Sequence, residues 1–126
     1  MYKTWFSISL GSALGGLLRW FLSVRFNHIW AMMPMGTYLA NIIAGYLAGL
    51  AIAFFIQIPS ISVEWRLFIV TGFCGALSTF STFSVEVIRA WQGGQIAFGF
   101  LEIFLHLVSS LLMTYLGFLT VQYFYQ

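Results

Sequence analysis

Near the middle of the chain, Ser78-Thr79-Phe80-Ser81-Thr82-Phe83-Ser84 interleaves hydroxyls with aromatic rings inside an otherwise apolar run. On a helix, Phe80 and Phe83 share a face and Ser84 adjoins Phe80 at i+4. That spacing serves ordinary core packing. The flanking hydroxyls add a second reading. The edge of a phenyl ring carries partial positive charge, and Ser81, Thr82 and Ser84 supply O–H donors. Ring edges with hydroxyls make a weak, dry path for an anion, and weak binding suits conduction because the ion must also leave.

Other polar residues fit the same chemistry. Asn41 opens the pattern Asn41-xxx-Gly45-xxx-Gly49, which puts its amide on a glycine-lined face. The amide either offers donors to an anion or bonds a neighbouring helix. His106, Ser110 and Thr114 recur every four residues and form one polar stripe. His106 reads as a structural group, as a proton carrier or as a hydrogen-bond donor to an ion. Glu102 lies one turn before His106, Glu86 can pair with Arg89 at i+3, and both acids are expected at an interface. Arg19 is the deepest fixed cation. It either snorkels, draws anions to a vestibule, or satisfies carbonyls of a partner chain.

Just upstream, Gly72 and Gly75 with Ser78 and Thr79 favour an interrupted helix. Freed carbonyls at such a break can hold a cation, and the amides of the restarting helix can face an anion. The alternative is a continuous helix whose hydroxyls bond carbonyls one turn back.

The elements that position these groups follow from composition. The 126 residues are 61% hydrophobic and 6% charged, against about 25% charged in soluble domains. The chain is expected to be an all-α membrane protein with little or no soluble part. A helix crossing the hydrocarbon takes about 20 apolar residues. Four runs qualify, roughly 4–26, 33–57, 64–90 and 96–124, in one transmembrane domain. Pro59 stops the second, and Trp91-Gln-Gly-Gly-Gln95 turns tightly into the fourth. Short loops make successive spans antiparallel neighbours. No secretory cleavage pattern is read at Met1. Cys74 is a small packing residue rather than a redox site, and the small net charge of +2 gives no reason to expect a nucleic-acid partner.

Basic residues in loops normally fix orientation. Here Lys3 and Arg66 flank one side and Arg25 and Arg89 the other. The balance predicts insertion either way up and an antiparallel homodimer. Small residues at Gly11, Gly15 and Gly16, and at Ala44, Gly45, Ala48 and Gly49, give helices close-packing faces.

Together these residues resemble the Fluc (CrcB) family of bacterial fluoride channels over almost the whole chain. The resemblance rests on Gly15-Gly16-xx-Arg19, on Gly36-Thr37-xxx-Asn41, and above all on Gly72-Phe-Cys-Gly75-Ala-Leu-Ser-Thr-Phe80-Ser-Thr-Phe83-Ser84. It implies a dual-topology homodimer in the bacterial inner membrane whose two pores, each built from both subunits, passively export cytoplasmic fluoride. It implies that Phe80 and Phe83 line the pores, that Asn41 is the amide donor, and that Ser81, Thr82 and Thr37 add hydroxyls. A structural Na⁺ would sit at the dimer centre on backbone carbonyls near Gly75 and Ser78, with Arg19 toward a vestibule. The family often has tyrosine at the position of His106, and glycine and threonine are commoner where this chain reads Ala76-Leu77-Ser78. Fluoride, membrane lipid and a second copy are the implied partners, with no organic cofactor and no enzymatic chemistry.

Two other readings compete. A small multidrug-resistance-type exporter would need an acid in the first span, and none is present. A packing or assembly subunit would conduct nothing. No metal cluster, nucleophile triad or phosphate loop supports an enzyme.

Overall fold

A computed structural model describes residues 1–126 and is wholly helical. Helix α1 is Tyr2–Phe26 and α2 is Met35–Gln57. The third span begins with α3 (Val63–Arg66), continues as a π-helix over Leu67–Cys74, and returns to α geometry in α4 (Gly75–Leu77). After Ser78 and Thr79 the chain resumes as α5 (Phe80–Gln92), and α6 (Ile96–Phe124) completes the bundle. Counting Val63–Gln92 as one, four helices are long and apolar enough to cross a membrane.

The local sequence explains the ends. Pro34 precedes α2 but offers no side-chain cap. The cap comes from the end of α1, where Asn27 Oδ1 accepts the Thr37 backbone N–H at 3.0 Å. Ser62 caps α3 through the Trp65 N–H, as short hydroxyl side chains do at helix starts. The turn into α6 uses Gly94 at φ +82°, a left-handed conformation that glycine adopts without steric cost.

Two seams of close backbone contact organise the bundle. In the first, α1 meets the π-helix. A β-carbon at Gly11 or Gly15 would collide with the carbonyl oxygens of Phe68 or Phe73, and one at Gly72 would meet Ile8 O at 2.8 Å. In the second, α2 meets α6, with Gly49 against Thr114 and Gly117 against Tyr46 and Leu50. Gly16 joins neither seam and faces open space, so the expected glycine face of α1 is narrower than its sequence suggests. Leu22, Ala40, Ala44 and Leu77 form the small buried core where α1, α2 and α4 converge. Large apolar side chains such as Leu17, Phe104 and Leu111 point outward, as they do when hydrocarbon replaces water around a protein.

Candidate functional site

The sequence-predicted residues converge where the third span changes course. Gly72 and Gly75 remain helical. The departure comes at Ser78 (φ −75°, ψ 153°) and Thr79 (φ −148°, ψ 115°), both extended. Thr79 Oγ1 accepts the Thr82 N–H at 3.2 Å and so caps the restarting α5.

An extended dipeptide inside a bundle needs partners for its backbone, and Asn41 supplies them. Its Oδ1 accepts the Thr79 N–H at 2.7 Å, and its Nδ2 donates to Thr79 O at 3.2 Å. The remaining Nδ2 hydrogen points to His106 Nδ1 at 3.0 Å. Asn41 therefore holds the extended residues in place, and both of its N–H groups have protein partners. Arg19 acts on the other side: its Nε donates to Ala76 O at 3.0 Å, a carbonyl near the end of α4. The arginine thus serves a carbonyl of its own chain.

Around these bonds lies a cavity of about 470 Å³ lined by Asn41, Gly75, Ser78, Thr79, Phe80, Phe83, His106 and Ser110, among others. Phe80 and Phe83 pack edge to face with centroids 5.6 Å apart. Phe83 also lies against the His106 ring at 4.6 Å, and Tyr38 meets that ring in a T-shaped contact at 5.3 Å. Phe80 remains 79% exposed, so apart from Phe83 its ring has little cover from its own chain.

Other predicted residues stand apart. Ser81 is exposed. Thr82 is half-buried, and its N–H is taken by the cap. Ser84 donates to Phe80 O at 2.8 Å, one turn back along its own helix. Thr114 gives its hydroxyl to Gly45 O and Ser110 O, at 3.0 and 2.9 Å. It fastens α6 to α2 and does not line the cavity. Thr37 is fully buried and donates to Glu86 Oε2 at 2.6 Å.

The two acids depart most from their expected places. Glu86 turns to Thr37 rather than to Arg89. Glu102 is 2% exposed, because α6 presents it, with His106, to the inner side of the bundle. One ligand atom each from Glu86, Glu102 and His106 lie within 4.8 Å of one another. Their shared signal in the sequence was the i+4 pair Glu102 and His106. The third member comes from a different helix, which no local pattern reveals.

Comparisons with known proteins agree in length and in kind. Residues 6–118 match the family described as "CrcB-like protein, Camphor Resistance (CrcB)". The chain is 51% identical over 124 residues to a protein of Nitrosomonas europaea, covering 98% of each chain. It is 52% identical over 117 residues to one of Pseudomonas aeruginosa, covering 93% of this chain and 92% of the other. A protein of Paraburkholderia xenovorans is 49% identical over 121 residues, 96% of each. All three carry the name "Fluoride-specific ion channel FluC", which denotes a channel and not an enzyme.

Proposed function

Because the chain belongs to the CrcB-like protein family, we propose that it is a fluoride-selective passive channel of the bacterial inner membrane. Two copies inserted in opposite senses form an antiparallel homodimer with two pores. Each pore draws on both copies. The observation that carries this reading is the cavity where Phe80, Phe83, Asn41, His106 and Ser110 meet, left open on the side where Phe80 lacks cover. A second copy supplies that cover.

Fluoride is small and strongly hydrated, so it moves only where donors replace its water. In this reading the rings of Phe80 and Phe83 turn their positive edges to the ion. Ser110 offers a hydroxyl, and Asn41 shares the hydrogen it directs at His106. Ser81 and Thr82 serve the approaches, while Thr37, its hydrogen given to Glu86, braces the wall behind them. Arg19 contributes by fixing the end of α4, which sets the position of Ser78. The extended residues Ser78 and Thr79 act as a break at mid-membrane.

The break also fits a cation. Ser78 is exposed and extended. The Gly75 carbonyl meets only the Ser78 hydroxyl, at a long 3.5 Å. Uncommitted carbonyl oxygens suit a hard ion such as Na⁺. One copy offers too few ligands to enclose it, so Na⁺ would lie where the two breaks meet and would fasten the dimer.

The test is fluoride-electrode efflux from liposomes holding the purified protein, with chloride as the comparison anion. Rapid fluoride release with chloride retained is the expected result. Release of neither ion would leave a packing subunit and end the channel reading.

A further inference from the structure

Three buried atoms around Glu102 have no hydrogen-bond partner: Glu86 Oε1, Glu102 Oε1 and His106 Nε2. Glu102 is 2% exposed and His106 4% exposed, so water does not reach them freely. A buried polar atom without a partner is costly, and two bare carboxylates side by side cost far more. They would also stand directly beside the ring that lines the anion path, where negative charge repels the cargo.

The bonds around the cluster determine what can complete it. The Asn41 Oδ1 accepts from Thr79, so the Nδ2 end faces His106. His106 Nδ1 must therefore accept, and the neutral ring carries its hydrogen on Nε2. That hydrogen is directed toward Glu102 Oε1, 3.7 Å away. A metal ion would need the Nε2 lone pair, which this tautomer does not offer. Thr37 has already given its hydroxyl hydrogen to Glu86 Oε2. The structure thus hydrogen-bonds Glu86, aims a donor at Glu102 from beyond bonding distance, and lacks a hydrogen between the two acids.

We propose that Glu86 and Glu102 share one proton and form a proton-binding site beside the anion path. Thr37 and the proton then join the two carboxyls, with the His106 N–H aimed at Glu102 from 3.7 Å. The shared proton removes one of two negative charges from the neighbourhood of Phe83 and His106. The groups facing the pair are Thr37 from α2, Glu86 from α5 and His106 from α6, with Tyr38 against the histidine ring. The site's effect on flux rests on the fluoride-channel reading. The proton itself does not.

The experiment reads the proton first. Infrared spectra of the purified protein in liposomes at neutral pH should contain the C=O stretch of a neutral carboxylic acid. Glu102→Gln should abolish that band. Its amide can donate to Glu86 and keep the variant folded, and Glu86→Gln serves as the second variant. Glu64→Gln, at an acid outside the cluster, should leave the band intact. Folded wild-type protein without the band, or a divalent metal in its elemental analysis that Glu102→Gln releases, would overturn the proposal. Efflux is then measured as pH rises. As the shared proton leaves, the second charge should slow wild-type fluoride release by about tenfold or more. Glu102→Gln, with one acid left, should lose that dependence. An equal dependence in both would overturn the site's role in flux. A protein that has the band but conducts no fluoride would instead sink the channel reading alone.

Discussion

The contact between α2 and α6 divides into two halves with different chemistry. Toward one end, Tyr38 and Asn41 meet Ser109 and His106 while Thr37 reaches Glu86 on the adjoining α5, and the bonds run from side chain to side chain. Toward the other, Gly45, Tyr46 and Gly49 meet Ser110, Thr114, Gly117 and Thr120. There the helices touch through backbone, and the hydroxyls of Thr114 and Thr120 return to carbonyls one turn back. Polar residues occur in both halves. In the glycine half the two threonine hydroxyls are spent on backbone carbonyls. In the other they converge, and some atoms remain unpaired. A polar residue in a membrane helix therefore points to function only when its hydrogens are traced, a stricter test than its presence alone.

The contrast can be broken from the glycine side with the largest effect. A β-carbon at Gly49 meets the Thr114 backbone, which cannot yield as a side chain would. Gly49→Val should cost about 3 kcal/mol or more. It should appear as loss of monodisperse protein on size-exclusion chromatography. Ordinary recovery and thermal stability would show that the seam is softer than it looks.

Next comes the polar half. Asn41→Ala strips the partners from both the N–H and the C=O of Thr79. Leaving a buried group unpaired costs about 1–3 kcal/mol. A thermal shift of that size together with lost fluoride efflux is expected. Lost efflux at unchanged stability would instead make Asn41 a contact for the ion alone.

Phe83→Ile keeps bulk but removes the ring that touches both Phe80 and His106. Aromatic edge contacts are worth about 0.5–1.5 kcal/mol, so efflux should fall by up to about tenfold with folding retained. Phe80→Ile should act in the same direction. Wild-type efflux in both would remove the rings from the path.

Smallest of all should be Tyr46→Phe, in the glycine half. It gives up one hydrogen bond to Thr120 at 3.0 Å. Such bonds between membrane helices average about 0.6 kcal/mol. A slight loss of thermal stability and unaltered efflux are expected. A large drop in efflux would erase the distinction between the halves.

Much of the architecture was legible in the sequence, for a physical reason. Long apolar runs broken by Pro59 and by the glycines after Trp91 mark four helices, because hydrocarbon leaves the backbone few other options. The polar residues around Phe80 and Phe83 were legible as types. Their partners were not. That Asn41 would clamp Thr79, or Arg19 reach Ala76, depends on contacts 38 and 57 residues apart in the chain. The burial of Glu102 was missed because an acid six residues into an apolar helix reads as near its end. Only the packing of α5 against α6 shows which way it faces. The expected break grouped Gly72 and Gly75 with Ser78 and Thr79; only the latter two are extended, while both glycines stay helical and Gly72 lets α1 approach.

The π-helix over Leu67–Cys74 has a consequence for alignment. Each residue of an α-helix turns the chain by about 100°, and a π-helix winds more loosely, with bonds from i to i+5. The eight residues of this segment therefore work as an angular vernier between two fixed marks. One mark is the glycine seam on α1, the other the compass bearing of Ser78 and Phe80. Changing the length here by one residue would leave every downstream side chain intact and aim all of them elsewhere.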